Sequence, residues 1–315
     1  MTATKTEPSL LPHIKPIFPA VTSYAVLSTI TQANAKGYLI RTNTDQDLFI
    51  KLVDAGHYSS VKAWPDLRRT LLYARTEARF YNETLPLITA KGCHGIAPRC
   101  HRATYDLDGL IPESDRAVDV SHADDPAARG QSYDGRGGVL ILDAVSDATH
   151  FQESPLAPDL ALRCLVALAK IHAAAWEDEA ILSSAAERLS RGSYHLQMRN
   201  PKELEGMTDA WRSFMGRFED YAPDLFARES VRRLGERIVA VAREVSEELS
   251  PGAHDRYATL VHGDYKSMNV FLPREEEGGD DDGVVMIDFA STGVGMGMSD
   301  VAMHIYHALA PGDID

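Results

Sequence analysis

Apolar residues in the first third of the chain come in short runs separated by polar turns. Runs of this length that are rich in β-branched and aromatic residues are typical of strands in an antiparallel sheet. The pattern predicts strands at residues 22–30, 37–43, 47–53, 95–105 and 137–145. One amphipathic helix is predicted over 65–85, because apolar residues recur there every three or four positions. The polar, Gly- and Asp-rich residues 106–137 are expected to form a surface loop.

From about residue 155 the apolar positions change to a helical period. Residues 156–176 are apolar around most of the circumference, which is typical of a buried helix. Two more helices are predicted, at 203–221 and 224–249. Two β-like pieces follow, LVHGDYKSMNVFL and VVMIDFA, and the acidic run 274–283 between them is predicted to be a solvated hairpin tip.

Composition and charge exclude several classes of protein. Of the 315 residues, 44% are hydrophobic and 25% are charged, which excludes disordered, collagenous and coiled-coil chains. The net charge of −14 repels nucleic-acid phosphates and anionic lipids, so neither nucleic acid nor a membrane is expected as a partner. No apolar run approaches the roughly 18–20 residues of a membrane helix. The three cysteines suit a reducing compartment, and a cytoplasmic location is expected.

One constellation of polar residues indicates a chemistry. His262-Gly263-Asp264 is followed by Asn269, with the Asp-to-Asn spacing of a kinase catalytic loop, and Asp288 comes next within a strand-like segment. In phosphoryl transfer, an Asp orients the attacking hydroxyl and accepts its proton. An Asn oxygen and a second Asp hold Mg²⁺ against the nucleotide phosphates.

HGDYKSMNVFL and VVMIDFASTGVGMGMSDVAMHI resemble the motifs of the small-molecule kinases that include aminoglycoside phosphotransferases, choline kinases and ecdysteroid-kinase-like proteins. The resemblance implies an α+β, bilobal protein-kinase-like fold with nucleotide bound between the lobes. The small β-rich N-lobe is expected over 1–143, the hinge over 144–150 and the larger helical C-lobe over 151–315. Only fifteen residues follow Asp300, where this family usually continues through further helices, so the chain is interpreted either as a C-terminal truncation or as an unusually short member.

The same resemblance implies a role for each residue of the constellation. Asp264 is expected to be the catalytic base, and Asn269 and Asp288 the ligands of Mg²⁺. Asp300 is expected to be a buried brace of the catalytic loop. Lys266 stands two residues after Asp264, where protein kinases carry a lysine that contacts the transferred phosphate, and a catalytic role is favoured over that of a solvated loop lysine.

Upstream residues complete the set of kinase residues. Lys51 in a predicted strand and Glu77 in the predicted helix match the phosphate-binding lysine and its ion-pair partner, although Glu77 alone could pair with Arg75 or Arg79. Asp143 ends a segment that resembles the strand leading into the adenine-binding hinge. No glycine-rich loop precedes Lys51, and backbone N–H groups with the side chain of Asn34 or Lys36 are the candidates for holding phosphates in its place.

The function predicted from the sequence is transfer of the γ-phosphoryl group of ATP to a hydroxyl group of a small molecule, with Mg²⁺ as cofactor. The alternative is a nucleotide-binding pseudokinase that acts as a switch or scaffold. His172 is interpreted as a structural histidine of an apolar helix. Gly293, Gly295 and Gly297 are interpreted as a flexible loop after Asp288 and not as a dinucleotide fingerprint, because no βαβ context surrounds them.

Overall fold

The computed structural model describes residues 9–31, 34–113, 125–192, 196, 201–274 and 283–314. Its α-helices are α1 (Leu11–Ile14), α2 (Ala55–Ser59), α3 (Trp64–Arg79), α4 (Leu85–Ala90), α5 (Pro158–Ala175), α6 (Glu179–Arg188), α7 (Pro201–Glu205), α8 (Met207–Phe218), α9 (Pro223–Phe226), α10 (Glu229–Arg232), α11 (Leu234–Glu248) and α12 (Gly297–Ala308). Its strands are β1 (Tyr24–Thr31), β2 (Lys36–Thr42), β3 (Asp47–Asp54), β4 (Cys100–Asp106), β5 (Gly137–Asp143), β6 (His150–Phe151), β7 (Ser190–Arg191), β8 (Ala258–Val261), β9 (Val270–Pro273), β10 (Val285–Met286) and β11 (Gly293–Met296).

The first part of the chain forms a five-stranded antiparallel sheet in the order β1-β2-β3-β5-β4. Lys51 of β3 lies opposite Gly37 of β2 and Leu140 of β5, so its position in the middle of the sheet is fixed on both sides. Side chains alternate between the two faces of a strand. Leu48 and Ile50 are therefore fully buried on one face, while Phe49 and Lys51 face the other.

Helix α3 packs across this sheet. Pro65 in its first turn and Asp66 beside its N-terminus favour a helix start there. Leu67 and Leu71 are buried in an apolar cluster under the helix. At Phe80–Thr84 the helix continues as a π-turn and then as α4, so the predicted helix over 65–85 is confirmed in kind but extends to Ala90.

The second half of the described chain is mostly helical, and its core is built around α5. Buried positions of α5 recur every three or four residues: Ala161, Cys164, Ala167, Leu168, Ile171 and Ala175. Helix α12 and strand β8 pack against α5. The combination of the antiparallel sheet with this helical part confirms the predicted α+β fold class. The lobe boundaries at 143 and 151 stay predictions.

Two small sheets, β10-β9-β6 and β7-β11-β8, hold the segments that carry the acidic motif residues. The loop between β8 and β9 carries Asp264 and Asn269, and the loop between β10 and β11 carries Asp288. The flexible loop expected at Gly293, Gly295 and Gly297 is wrong. Gly293 and Gly295 belong to β11, and Gly297 begins α12. A Cβ on Gly293 would lie 1.8 Å from the Ser190 carbonyl oxygen, so glycine at this position is what allows β7 and β11 to pair so closely.

Several predicted boundaries also differ from the structure. The predicted helix 224–249 is divided into α9, α10 and α11, and 203–221 contains α7 and α8. Strand 95–105 begins only at Cys100, since Pro98 precedes it. Residues 275–282 of the acidic run and 114–124 of the expected surface loop lie outside the described residues. Within the described part of the chain, no helix is both long and apolar enough to cross a membrane.

Candidate active site

A cavity of about 780 Å³ lies between the five-stranded sheet, helix α3 and the two acidic loops. Strands β1, β2, β3 and β5 line one side, and the segments around Asp264 and Asp288 line the other. Eight of the predicted site residues line it, which are Asn34, Lys51, Glu77, Asp143, Asp264, Lys266, Asn269 and Asp288. Asp300 lies outside the cavity, beneath the loop that carries Asp264.

Lys51 joins the sheet to both acidic elements. Its Nζ donates to Glu77 Oε2 on α3 at 2.8 Å and to Asp288 Oδ1 at 2.6 Å. The Lys51 and Glu77 side chains are only 11% and 5% exposed, so water screens this pair little. The alternative pairing of Glu77 with Arg75 or Arg79 is not what the structure shows.

The ionisation of these three groups follows from their burial and mutual contact. Burial alone would lower the pKa of Lys51, but the adjacent Asp288 and Glu77 carboxylates outweigh it and hold the pKa above its ordinary value. Burial raises the pKa of Glu77, and Lys51 offsets only part of this effect. For Asp288, burial is outweighed by Lys51 and the pKa lies below its ordinary value. Asp288 is therefore the carboxylate that stays charged most readily.

Asp264 is held in place by its neighbours in the same loop. Asn269 Nδ2 donates to the Asp264 backbone carbonyl at 2.8 Å and to its Oδ2 at 3.0 Å. Lys266 Nζ donates to the same Oδ2 at 2.8 Å. Because both donors converge on Oδ2, the orientation of the carboxylate is fixed and Oδ1 is the oxygen left over.

The backbone of this loop is anchored from below by Asp300. Its carboxylate accepts the backbone N–H groups of His262 at 2.7 Å and of Gly263 at 2.8 Å. His172 Nε2 approaches Asp300 Oδ2 at 3.1 Å, so this histidine of α5 has a defined polar partner at the base of the loop. The contacts of Asp300 with the two backbone N–H groups and with His172 are those expected of a buried residue that holds the loop in one conformation.

His262 links the two acidic loops. Its Nε2 donates to the Ile287 carbonyl at 3.0 Å, and its Nδ1 accepts the Asp264 backbone N–H at 3.3 Å. This pattern requires a neutral ring protonated on Nε2. Burial lowers the pKa of His262, although Asp300, Asp288 and Asp264 oppose that effect, and the neutral form is the one that burial favours.

Asp288 is supported by the residue that follows it. The Phe289 ring stacks on Phe80 at the end of α3, with centroids 3.9 Å apart, and also contacts His262. Asp288 itself adopts φ 64° and ψ 56°, a left-handed conformation that is uncommon outside glycine. The strained backbone is held by aromatic packing on one side and by the Lys51 ion pair on the other.

Two predicted nucleotide-binding residues, Asn34 and Asp143, line the cavity, and a side-chain oxygen of each is hydrogen-bonded to another side chain of the protein. Asn34 Oδ1 accepts from Lys62 Nζ at 2.7 Å and from Thr70 Oγ1 at 3.0 Å. Asp143 Oδ1 contacts His101 Nε2 at 2.6 Å across strands β4 and β5. The sequence reasoning missed Lys62, Thr70 and His101. Only Thr70 carried a usable pattern, because it precedes Glu77 by seven residues and so lies on the same face of α3.

Among the described residues, no group of three or more His, Cys, Asp or Glu side chains is arranged to hold a metal ion. The donors Asn269 and Asp288 still suit Mg²⁺, which binds oxygen ligands and keeps several waters or phosphate oxygens. Asn269 uses its amide nitrogen on Asp264, so its Oδ1 remains as a ligand. Lys51 occupies Oδ1 of Asp288 and leaves Oδ2. One amide and one carboxylate therefore fit a cation whose other ligands come from a nucleotide.

The model of the ecdysteroid kinase-like family matches residues 137–312, which is more than half of the chain. The chain belongs to the ecdysteroid kinase-like family. The match covers β5 and both acidic loops, and this result confirms the resemblance drawn from the motifs. A comparison with curated proteins finds no match.

Solved structures similar to this ecdysteroid kinase-like chain are phosphotransferases and kinases. The macrolide 2'-phosphotransferase MphH from Brachybacterium faecium is 13% identical, with 98% of this chain and 80% of that chain covered and a TM-score of 0.44. APH(2")-IIia, solved with GDP and kanamycin, is 14% identical, with coverages of 96% and 80% and a TM-score of 0.45. A putative fructosamine-3-kinase from Thermobifida fusca YX-ER1 is 16% identical, with coverages of 96% and 80% and a TM-score of 0.41.

Proposed function

We propose that this protein is a kinase that transfers the γ-phosphoryl group of ATP to a hydroxyl group of a small molecule. The observation that carries the proposal is the convergence in one cavity of Lys51, paired with Glu77 and Asp288, and of Asp264, oriented by Asn269. Phosphoryl transfer needs little covalent chemistry from the protein. It needs positioning of both substrates and neutralisation of phosphate charge, which these side chains are equipped to supply.

In this proposal Lys51 binds the nucleotide phosphates, and Glu77 keeps the ammonium group in place when a phosphate replaces Asp288 as its partner. Asn269 Oδ1 and Asp288 would hold Mg²⁺, which supplies charge neutralisation at the phosphates. Asp143 lies at the end of β5, beside the expected position of the base. Lys266 would contact the transferred phosphate and release Asp264 Oδ2 as it does so.

The proposed chemical step follows from the orientation of Asp264. The acceptor oxygen attacks the γ-phosphorus, the bond to the β–γ bridging oxygen breaks, and ADP leaves. The hydroxyl proton passes to Asp264 Oδ1, the carboxylate oxygen that neither Asn269 nor Lys266 binds. Asp300 keeps the loop backbone in position during this step through its two N–H contacts.

The lining of the cavity favours a cationic acceptor. Among the described residues that line it, six ionisable side chains are carboxylates, Glu77, Asp143, Asp147, Glu153, Asp264 and Asp288, and two are cations, Lys51 and Lys266. Lys51 and Mg²⁺ would offset this negative charge at the nucleotide phosphates, and the remaining carboxylates would attract a cationic acceptor. We therefore propose an acceptor that carries a protonated amine or a quaternary ammonium group.

A cytoplasmic location remains the prediction from the sequence.

The experiment that tests the function is Mg²⁺-dependent ADP release by the full chain, measured with a panel of amino sugars and amino alcohols. Turnover with at least one cationic hydroxyl compound is expected, and Asp288→Asn should abolish it while leaving the fold intact. Exposed Asp159→Asn on α5 is the matched control and should behave as wild type. ATP binding without turnover on any acceptor would instead support the pseudokinase alternative.

A further inference from the structure

The tip of the β1–β2 hairpin is tied to the start of helix α3 by a small polar cluster. Lys62 Nζ donates to Asn34 Oδ1 at 2.7 Å and to Thr70 Oγ1 at 2.8 Å, and Thr70 Oγ1 also lies 3.0 Å from Asn34 Oδ1. Asn34 belongs to the hairpin tip, because Thr31 and Lys36 are the last paired residues of the two strands. This tip is the segment where a glycine-rich loop is missing from the sequence.

The Lys62 side chain is held at both ends. Its ammonium lies 5.1 Å from the centroid of the Tyr58 ring, and its backbone N–H donates to the Tyr58 carbonyl at 2.9 Å. Thr70 is fully buried, and its single O–H group is within hydrogen-bond distance of both Asn34 Oδ1 and the Asp66 carbonyl, so it donates to one of them at a time. An ordered lysine costs side-chain entropy, so its contacts with Asn34 and Thr70 must offset that cost.

The direction of the Asn34 amide follows from the chemistry of its partner. A lysine ammonium has donors and no acceptor, so the atom that faces it must be the amide oxygen. The amide nitrogen, with its two N–H donors, is therefore on the side of Asn34 turned away from Lys62. Asn34 and Thr70 both line the cavity that contains Lys51.

We propose that Lys62 and Thr70 are positioning residues that hold Asn34 so that its amide nitrogen donates to the phosphates of the bound nucleotide. The inference rests on the proposed function, since it concerns the nucleotide of the same cavity. A glycine-rich loop supplies backbone N–H donors from a mobile hairpin. Here a side-chain amide supplies the donors, and its orientation is fixed before the nucleotide arrives, which lowers the cost of binding.

The test measures binding of ATP, ADP and adenosine to the full chain by calorimetry. Lys62→Met keeps the length of the side chain and removes the donors. Hydrogen bonds to charged groups are worth enough to expect roughly 10- to 100-fold weaker ATP and ADP binding, with adenosine binding unchanged. Thr70→Val should weaken ATP binding in the same selective way but by less, and it replaces Lys62→Met if that variant does not fold. The matched control is Lys15→Met, an exposed lysine outside the cavity.

A double-mutant cycle decides whether Lys62 acts through Asn34. In an Asn34→Ala background, Lys62→Met should cause no further loss of ATP affinity, whereas a lysine that touches phosphate itself would add its own loss. Additive losses, equal weakening of adenosine and ATP, or unchanged ATP affinity in Lys62→Met would each overturn the inference while leaving the proposed function standing. A wild-type chain that binds no ATP would overturn the proposed function first.

Discussion

At the scale of single residues, the sequence predicted which side chains meet in the cavity but not how they share their hydrogen bonds. The spacing of Asp264 and Asn269 indicated a catalytic loop, and both residues do line the cavity with Asp288. No spacing rule showed that Asn269 and Lys266 would bind the same carboxylate oxygen. That detail depends on the loop conformation, which Asp300 fixes through contacts with residues 37 and 38 positions away, beyond the reach of a local pattern.

Asp264→Asn should lower turnover while nucleotide affinity stays the same. The amide can keep the contacts with Lys266 through its oxygen, but it cannot take up the hydroxyl proton. Positioned acid–base groups contribute about 10²–10⁴-fold, so a loss of that size in kcat is expected with little change in KM for ATP. Steady-state kinetics with the best acceptor of the panel measure both values. Turnover near the wild-type rate would exclude Asp264 as the base.

At the scale of elements, the periodic segments that form α3 and α5 were predicted correctly, whereas the periodic segment 224–249 is three helices instead of one, and short glycine-rich segments were not predicted. Helix α3 follows a clear helical apolar period, and the strands that carry Lys51 and Asp143 are short, mostly apolar runs bounded by polar turns. Strand β11 is four residues long and half glycine, and its identity comes from pairing with β7 and β8, which are distant in sequence. Strand propensity cannot predict such a segment, because its glycines are required by the close approach of the neighbouring backbones and are themselves poor strand formers.

Gly263→Ala should destabilise the Asp264 loop more than an ordinary Gly→Ala change at positive φ. Gly263 has φ +82°, and a Cβ there would lie 2.2 Å from the Ser291 carbonyl oxygen, so the two acidic loops would have to separate. Gly130 has a similar φ of +76°, with nothing within 4 Å of its Cβ position. The backbone strain alone costs about 1–2 kcal/mol in each case.

Thermal unfolding of the two variants separates strain from steric clash. Gly130→Ala should lower the melting temperature by the strain alone. Gly263→Ala should lower it further and should also reduce ATP turnover, because the Asp264 loop shifts away from Asp288. Equal melting temperatures for the two variants would mean that the loops absorb the extra carbon without moving.

At the scale of the whole molecule, α3 is tied to the helical half as well as to its own sheet. Thr76 and Ser190 hydroxyls lie 2.7 Å apart, Arg79 donates to the Arg188 carbonyl at 2.8 Å, and Arg188 forms a two-pronged ion pair with Glu83. These partners are more than 100 residues apart in the chain, so the apolar periodicity of the sequence cannot predict these contacts. Helix α3, which carries Glu77, is therefore held both by its own sheet and by the helical half of the chain. This favours an ion pair between Lys51 and Glu77 that stays formed.

The pH dependence of global stability should contain a contribution from His304, which lies on α12 against Tyr265 of the Asp264 loop. The ring is fully buried, with its centroid 4.9 Å from that of Tyr265. Burial lowers the pKa of His304 below the ordinary 6.5, and the backbone of Tyr265 and Ala161 offsets only part of this. As the pH falls below 6.5, His304 is protonated more readily in the unfolded chain than in the folded chain, so the free energy of unfolding decreases.

His304→Phe keeps a ring of similar size against Tyr265 and removes the titrating group. Urea unfolding at about pH 7.5 and about pH 5.5 should therefore show a smaller loss of stability at the lower pH in this variant than in wild type. His307→Phe alters an exposed histidine of the same helix and should keep the wild-type loss. An equal loss in His304→Phe and wild type would show that the buried ring binds its proton as readily in the folded chain as in the unfolded one.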